Sequence, residues 1–417
     1  MKDEKKLYLF FPFLIASFVA AAFAYDGIAA LKGFLKLQLM PSRLLSDFFI
    51  TAGIGPSFLN AAVVGFSGFL LVILTKTKLS GPTFAAVFTM MGFGFFGKTL
   101  LNILPILFGV FLAAKYTQKT FREYIIIALF GTALGPLVSA IAFELGLPLP
   151  LSIILGAAGG IFTGFLLPSM AVSMLHMHQG YNLYNMGLTC GFLSLFAASL
   201  LKAGGASLDN VSYWFSGQPL LLELLVPVIS FILIVLGLMD GGVKSLSDFK
   251  KIQTQTGRLP SDFIDSTSFG GVFINAGLIG LVGAMYIHFV GGDFNGPVLG
   301  GLFTIMGFSA FGTNLKNAWP VVIGVIVSAL IFKIPLDSPG VQLAVIFCTT
   351  LSPIAGQFGI LPGIIAGFLH LLLVSQSGTW QGGMNLYNNG FAGGLTATFL
   401  IAFFQWYRTN KKENRLR

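Results

Sequence analysis

The stretch Gly81-Pro-Thr-Phe-Ala-Ala-Val-Phe-Thr-Met-Met-Gly-Phe-Gly-Phe-Phe-Gly97 returns 215 residues later as Gly296-Pro-Val-Leu-Gly-Gly-Leu-Phe-Thr-Ile-Met-Gly-Phe-Ser-Ala-Phe-Gly312. The match extends without a gap over residues 60–110 and 275–325, where we count 18 identical positions out of 51. A second pair of copies follows at an offset of 203, as Gly180-Tyr-Asn-Leu-Tyr-Asn-Met-Gly187 and Gly383-Met-Asn-Leu-Tyr-Asn-Asn-Gly390. Many transporters are built by such duplication, with the solute site at the repeat interface.

The composition is that of an integral membrane protein. Apolar residues make up 55% of the 417 residues and charged residues only 9%, whereas a soluble domain carries roughly 25% charged residues. The net charge of +9 comes largely from the ends and the loops, which indicates membrane topology and not nucleic-acid binding. Cys190 and Cys348 both lie in apolar stretches, so neither a disulfide framework nor a metal cluster is predicted.

The sequence predicts an all-α polytopic fold of about 12–14 transmembrane or re-entrant segments in two homologous repeats. The predicted segments are 7–25, 56–75, 81–96, 99–115, 124–145, 150–175 and 182–203, followed by 219–239, 269–289, 295–311, 314–333, 340–357, 359–376 and 384–405. A membrane span needs roughly 20 apolar residues. Segments 81–96 and 295–311 are shorter and rich in glycine, so we expect them to be half-helices or re-entrant hairpins near the centre.

We assign residues 1–205 to the first repeat, 216–407 to the second, 240–265 to a central polar loop and 408–417 to a basic cytoplasmic tail. Seven segments per unit predict inverted units, although a parallel pair with one re-entrant segment each is the alternative. With both termini in the cytoplasm, most basic loops fall inside, as the positive-inside rule requires. The loop 26–46, with Lys32, Lys36 and Arg43, does not fit and could hold an interfacial helix.

The N-terminus has some features of a signal peptide, because Lys2-Asp-Glu-Lys-Lys6 precedes an apolar run that ends in small residues. The repeat argues against cleavage. Residues 222–239 form a second apolar segment at the same offset, and Pro12 corresponds to Pro227. We therefore expect the first helix to stay in the protein as part of the repeat unit.

The doubled Asn-Leu-Tyr-Asn motif is the strongest candidate for a solute site. Two asparagines three residues apart share a helix face, and their amides both donate and accept hydrogen bonds. Packing offers an equally good explanation, because polar groups in lipid need a partner in any case. The predicted contacts are Asn182, Asn185, Asn385 and Asn388, with Tyr184 and Tyr387 as walls and Gln179 and Gln381 on the approach.

Polar residues also follow each of the short glycine-rich segments. Lys98 and Asn102 follow Gly97, and Lys316 and Asn317 follow Gly312. A helix broken at these glycines would present free backbone groups, and its N-terminus would favour an anion. The two lysines would strengthen that preference if they line the cavity. The alternative is a tight turn with each lysine extended to the membrane interface.

Other polar positions have simpler explanations. The Gly156, Gly160, Gly164 ladder and its copy at 359, 363 and 367 are typical of close helix packing. His288 and His370 lie in apolar segments and could couple protons, but a structural histidine is the commoner case. Asp47 and Asp262 are predicted helix caps, and Glu144 an interfacial carboxylate.

No motif of a soluble enzyme occurs: there is no His-Glu-x-x-His, no Cys-x-x-Cys, no P-loop and no Gly-x-Ser-x-Gly. We therefore predict neither an enzyme nor a cofactor. The expected partners are a small-molecule or ion solute, the lipid bilayer and, as one option, further copies of the chain in a homo-oligomer; nucleic acid is not expected.

The doubled Asn-Leu-Tyr-Asn-x-Gly, the doubled Gly-Pro and the Met-Gly-Phe-x-x-Phe-Gly segments resemble a bacterial membrane family known only as a domain of unknown function, of about this length and with a duplicated segment. This resemblance implies a polytopic bacterial membrane protein and carries over no functional residue. The architecture is also similar to that of the seven-plus-seven inverted-repeat transporters of nucleobases and anions. Leu79-Ser-Gly81 and Gly180-Tyr-Asn182 resemble short elements of urea channels. Such likeness of architecture does not decide function.

From these observations we expect a secondary-active transporter of the bacterial plasma membrane that carries a small polar or anionic solute, with both termini in the cytoplasm. A passive channel for a small neutral solute is the first alternative. A membrane enzyme or scaffold that uses duplication only for packing is the second.

Overall fold

The computed structural model describes residues 4–209 and 211–416, which form helices joined by short loops. The first half contains ten α-helices and one 3-10 turn. They are α1 (Glu4–Asp26), α2 (Ala29–Leu37), α3 (Phe48–Thr51), α4 (Ile54–Leu74), α5 (Gly81–Phe93), α6 (Leu100–Tyr116), α7 (Phe121–Gly131), the 3-10 turn Thr132–Leu134, α8 (Gly135–Phe143), α9 (Leu149–His178) and α10 (Asn185–Ala203).

The second half repeats this order element by element. It contains α11 (Leu220–Gly241), α12 (Val243–Ile252), α13 (Phe263–Ser266), α14 (Phe269–Phe289), α15 (Gly296–Phe308), α16 (Leu315–Ile331), α17 (Pro339–Phe347), the 3-10 turn Cys348–Leu351, α18 (Ser352–Phe358), α19 (Ile360–Trp380) and α20 (Asn388–Leu416). The predicted all-α fold built from two repeats is therefore confirmed.

Within the described residues, nine helical segments are long and apolar enough to cross a membrane, with α7 and α8 counted as one segment and α17 and α18 as another. α20 takes the position of α10 in the second half. With α20 counted by this correspondence, each half has five crossing segments, and the remaining pair of apolar helices in each half, α5–α6 and α15–α16, is shorter. The seven predicted segments of each unit are therefore present, and two of them form one hairpin, as expected for the short segments 81–96 and 295–311.

The short helices form re-entrant hairpins. α5 and α15 each have 13 residues, about 20 Å of helix, which is too short for a hydrocarbon core of about 30 Å. The carbonyl groups at the tip of the first hairpin do not face lipid, because the Asn60 amide donates to Gly94 O (2.7 Å) and Lys98 O (2.8 Å). Asn275 does the same for Ser309 O and Thr313 O.

Five crossings and a hairpin leave the second unit inverted relative to the first. α1 runs antiparallel to α4, since Tyr8 packs against Phe69 while Phe18 packs against Phe58. The end of α20 returns to the side where α1 begins, where Gln405 donates to Gln179 (2.7 Å). We call this side the terminal face; its loops include residues 75–80, 117–120, 179–184 and 253–262. The opposite side is the far face, with loops 38–47, 144–148, 204–209, 211–219, 290–295, 332–338 and 381–387.

The loop 26–46, which does not fit the charge pattern, and the predicted central loop 240–265 both contain short helices. Residues 26–46 hold α2, which exposes Lys32 and Lys36 and buries Ala30 and Leu37. Residues 240–265 hold its counterpart α12 and the start of α13. The basic residues of loop 26–46 therefore belong mainly to a surface helix.

The two hairpins pack against each other at the centre of the molecule. Gly92 of α5 lies so close to α15 that an added Cβ would be 2.8 Å from Gly300 O, and Gly307 of α15 would meet Ala85 of α5 at 2.9 Å. The glycine ladder of α9 serves a similar purpose, because a Cβ on Gly164 would be 2.3 Å from Ile106 O. Small residues thus let helices without charged partners approach closely.

Candidate functional site

Each Asn-Leu-Tyr-Asn loop lies on a helix break of the other unit. α7 and α8 are interrupted by the 3-10 turn Thr132–Leu134, and α17 and α18 by the turn Cys348–Leu351. The Leu386 N–H donates to Ala133 O in the first break (3.1 Å), and the Leu183 N–H donates to Thr350 O in the second (2.9 Å). Backbone groups released by the breaks are satisfied by the loops of the opposite unit, which ties the two units together.

The first asparagine of each motif connects the two units. Asn182 donates to Gly390 O (3.1 Å), and Asn385 donates to Gly187 O (3.3 Å). The helices α10 and α20 cross where these glycines meet, since a Cβ on Gly187 would lie 2.7 Å from the Gly390 Cα. The structure therefore brings the two copies of the motif together, with the amides of Asn182 and Asn385 directed at backbone.

The second asparagine of each motif binds the preceding helix of its own unit. Asn185 donates to Ala171 O (3.1 Å) and its Oδ1 lies 2.9 Å from His178 Nε2. Asn388 donates to Val374 O (3.3 Å) and accepts from Ser377 Oγ (2.6 Å). Asn185 and Asn388 also border cavities, so they are the asparagines of the motif that a solute could meet.

Six aromatic side chains meet at the centre, in three pairs related by the repeat. Tyr184 packs edge-on against Phe308, with ring centroids 4.3 Å apart. Tyr387 packs in the same way against Phe93 at 4.8 Å. The third pair is Phe130 and Phe347, which contact members of both sets. The centre of the molecule is therefore lined by aromatic side chains.

Two cavities lie on either side of this centre. The terminal cavity has a volume of about 320 Å³ and extends to Leu259, Pro260 and Ser261 near the terminal face. The far cavity, of about 230 Å³, extends to the equivalent Leu44 and Leu45 near the far face. Both are lined largely by apolar side chains. Phe347, Leu386 and Asn389 line both, so these three residues form the septum between them.

Lys98 is completely buried at the tip of the first hairpin. Its ammonium donates to Tyr387 Oη (2.6 Å) and lies 4.8 Å and 5.4 Å from the ring centroids of Tyr387 and Phe93. Tyr387 lines the terminal cavity, so the ammonium is one side chain away from it. No carboxylate among the described residues pairs with Lys98.

The two lysines predicted to attract an anion are not brought together. Lys316 is exposed in the first turn of α16. In the register of the repeat, Lys98 corresponds to Thr313 and Lys316 to Leu101. The hairpin tips are therefore chemically different, with a lysine in one and a threonine, whose hydroxyl has no hydrogen-bond partner among the described residues, in the other.

The remaining candidates lie outside the cavities. Asn102 is the third residue of α6 and completes a capping box with Thr99, and Asn317 does the same in α16 with Asn314. The two side chains also donate to Gly97 O and Gly312 O (2.9 Å each), so both stabilise the hairpin turns. Gln179 ends α9 at the terminal face and contacts Gln405. Gln381 is buried, and both of its amide atoms lack a partner within the described chain.

The two histidines have different surroundings. His370 is buried in α19 with its Nε2 3.0 Å from Oδ1 of Asn389, a septum residue. His288 is exposed near the end of α14. Neither position is repeated in the other unit, so a role for His370 would be particular to the second half. No group of three or more His, Cys, Asp or Glu residues that could hold a metal ion occurs in residues 4–209 and 211–416.

An arginine holds the loop before the Asn-Leu-Tyr-Asn motif at each face. At the far face, Arg43 forms an ion pair with Glu144 (2.7 Å) and donates to Gly382 O (3.1 Å) and Asp209 O (2.7 Å). At the terminal face, Arg258 donates to Gln179 O (2.8 Å) and stacks on Tyr181. We call these two arrangements the far clasp and the terminal clasp.

Asp47 and Asp262 complete the clasps. Asp47 caps α3 and also accepts from Gly296 N at the start of α15 (3.3 Å), and Asp262 caps α13 and accepts from Gly81 N at the start of α5 (3.0 Å). The predicted caps thus also bind the re-entrant helix of the opposite unit. Burial raises the pKa of Asp47 to about 6, against the opposing effect of the N–H groups that it accepts from. Burial also raises the pKa of Asp262.

Sequence reasoning missed Phe130, Phe347, Arg43 and Arg258 as members of this arrangement. The arginines correspond at the offset of 215 and could have been found by extending the repeat toward the N-terminus. The phenylalanines correspond at 217, because the offset changes between α6 and α7. The gap-free block at the offset of 215 therefore does not pair these two phenylalanines.

The sequence matches the family described as "Protein of unknown function (DUF1576)" over residues 28–203 and again over residues 242–406, so the chain belongs to this family. The family match occurs twice, once in each half, in agreement with the duplication. No curated protein matches the chain. No solved structure matches it either.

Proposed function

We propose that this member of the family is a secondary-active transporter that carries a small solute with a polar or anionic group by alternating access. The observation that carries the proposal is the pair of cavities related by the inverted repeat, one toward each face and separated by a septum of three residues. Inverted units can exchange conformations, so that the larger cavity forms first on one side and then on the other. The solute site would be the cavity bordering the septum.

The distribution of charge supports a cytoplasmic terminal face. Its loops and helix ends carry Lys76, Lys78, Lys115, Lys119, Arg122, Lys244, Lys250, Lys251 and Arg258, whereas those of the far face carry Lys32, Lys36, Arg43, Lys202 and Lys333. Cytoplasmic loops are enriched in Lys and Arg. Because the sequence has no nucleotide-binding motif, we propose that an ion gradient drives transport across a bacterial plasma membrane.

Alternating access can be tested without knowing the solute. Cys190 and Cys348 would first be replaced by alanine, and one cysteine would then be introduced at Ser261, which lines the terminal cavity, or at Ser338, which lines the far cavity. A small, charged methanethiosulfonate applied from one side reports access from that face. We expect Ser261→Cys to react from the terminal face and Ser338→Cys to react slowly from the far face.

The decisive comparison is the response of the two reporters to one perturbation. In a transporter, a change that raises labelling at Ser338→Cys lowers labelling at Ser261→Cys, because a single equilibrium governs both. A passive channel would label at both positions at once. A scaffold would show no linked change in labelling at the two positions. Simultaneous labelling or unlinked labelling would each refute alternating access.

A further inference from the structure

We infer that the terminal cavity binds an organic monocarboxylate with an apolar body, and that Lys98 and Tyr387 recognise its carboxylate. This inference rests on the proposed function, because it names the solute class for the same cavity. It starts from an imbalance in the structure: the buried ammonium of Lys98 has one hydrogen-bond partner, the Tyr387 hydroxyl, and no carboxylate. An ammonium has three donors, and burying one without a counter-charge is costly.

Because of the position of this pair, an anion that compensates the charge of Lys98 would bind in the terminal cavity. Tyr387 lines the terminal cavity next to the septum residue Leu386, and its hydroxyl accepts a hydrogen bond from Lys98. Thr89, which also lines the cavity, has a buried hydroxyl with no partner in the described chain. Its repeat counterpart Thr304 instead donates to Gly300 O (2.7 Å). A carboxylate bound beside Tyr387 would accept from the tyrosine hydroxyl, whose oxygen already accepts from the Lys98 ammonium, and the Thr89 hydroxyl is a further donor on the cavity wall.

The rest of the cavity defines the body of the solute. Its walls include Phe130, Phe308, Phe311 and Phe347 and carry no charged side chain. At about 320 Å³ it is about twice the size of a 150 Å³ apolar cavity that holds benzene. An aromatic or branched aliphatic body of about ten heavy atoms therefore fits and would replace water on the apolar walls.

Charge excludes other common classes of solute. A phosphate ester at neutral pH carries nearly two charges and is usually held by arginine forks or rows of N–H groups, whereas this site offers a single ammonium. An amino acid would bring an ammonium of its own, and no acidic residue lines the cavity to receive it. A neutral, apolar cavity whose wall residue Tyr387 is hydrogen-bonded to a single ammonium matches a monoanion.

The test compares benzoate with its neutral analogue benzamide in thermal-shift titrations of the detergent-purified full chain at pH 7.5. A ligand that binds only the folded state raises the apparent Tm by mass action. We expect wild type to bind benzoate at least tenfold more tightly than benzamide, because only benzoate carries the negative charge that strengthens its hydrogen bond to Tyr387 and offsets the charge of Lys98. Lys98→Met should abolish that preference, and Tyr387→Phe should weaken it.

Lys316→Met is the matched control, because it removes an exposed lysine from the equivalent hairpin and should leave the preference intact. Equal binding of benzoate and benzamide by wild type, or no binding of benzoate, would refute the monocarboxylate class. A preference that survives in Lys98→Met would refute the role of Lys98. If that variant does not fold, an unchanged preference for benzoate in Tyr387→Phe would refute the role of the pair. The cysteine-labelling experiment uses no carboxylate, so alternating access can hold even if this inference fails.

Discussion

The far clasp and the terminal clasp share one backbone design but differ in the chemistry that closes them. In both, a backbone N–H pairs the arginine loop with the loop before the motif: Leu44 N donates to Gly383 O (2.8 Å), and Leu259 N donates to Gly180 O (3.0 Å). At the far face, Arg43 is 5% exposed and pairs with Glu144, which is 18% exposed. At the terminal face, Arg258 is exposed and has no carboxylate partner in the described residues.

The two clasps therefore differ in how firmly each one is held. The C-cap residue of α8 is Glu144, whereas that of its counterpart α18 is Gly359, so the second unit lacks the carboxylate that would close the terminal clasp in the same way. The terminal face has an inter-unit ion pair elsewhere, between Lys78 and Asp265, but both side chains are more than half exposed. Exposed pairs contribute about 0–1 kcal/mol. The larger cavity lies under the weaker clasp, which is the arrangement expected of a transporter resting with its far gate closed.

The largest effect should come from breaking the far clasp with Glu144→Gln. This substitution leaves the Arg43 guanidinium buried without its counter-charge, and removing one partner of a buried pair costs roughly 3 kcal/mol or more. Since each 1.4 kcal/mol is a factor of ten, labelling of Ser338→Cys from the far face should rise about a hundredfold. Asp265→Asn, which breaks the exposed pair, is the matched control and should change labelling less than threefold. Equal effects of the two variants would contradict a special role for the buried clasp.

A smaller effect should follow from crowding the backbone contact of each clasp in turn. Gly180 (φ +82°) and Gly383 (φ +70°) both have left-handed backbone, which costs an L-residue about 1–2 kcal/mol. An added Cβ would also lie 2.2 Å from Leu259 O at Gly180 and 2.9 Å from Leu44 O at Gly383. Gly180→Ala should therefore release the terminal clasp and raise labelling of Ser261→Cys about tenfold.

Gly383→Ala should raise labelling of Ser338→Cys by a smaller factor, because the ion pair of Arg43 still holds the far loop after the backbone contact is strained. Gel filtration would verify that both variants remain folded. If the two alanines have equal effects on their own faces, the ion pair adds nothing to the far clasp and the comparison between the clasps fails.

The all-α fold with two repeats could be predicted from the sequence, because the repeat is visible in hydrophobicity and glycine spacing, which are local properties. Sequence could not predict the far clasp, because Arg43 and Glu144 are 101 residues apart and Glu144 has no copy in the other unit. It also could not predict where the amides point. Asn182 and Asn385 bind carbonyl groups of the opposite unit, and that choice depends on how closely α10 and α20 cross at Gly187 and Gly390.

The structure does not bring Lys98 and Lys316 together, and the reason is a different one. Lys98 and Lys316 occur in similar motifs, but they are 218 residues apart, three more than the offset of the repeat. At the offset of 215, Lys98 corresponds to Thr313. Repeats reproduce backbone positions faithfully, and side chains at equivalent positions are free to diverge. Some side chains are not repeated in the other half, among them Lys98, Glu144 and His370. At these positions the two halves can therefore have different functions.

The smallest effect should come from supplying the terminal clasp with the charge it lacks. Gln179→Glu places a carboxylate in the residue whose carbonyl already accepts from Arg258, and its Oε1 can still accept from Gln405. An exposed ion pair of about 0.5 kcal/mol should lower labelling of Ser261→Cys about twofold, and 1 M salt should abolish the effect by screening. If the two clasps are ends of one equilibrium, labelling of Ser338→Cys should rise by the same factor. A fall at Ser261→Cys without a matching rise at Ser338→Cys would mean that the faces open independently, as in two separate vestibules and not in an alternating-access transporter.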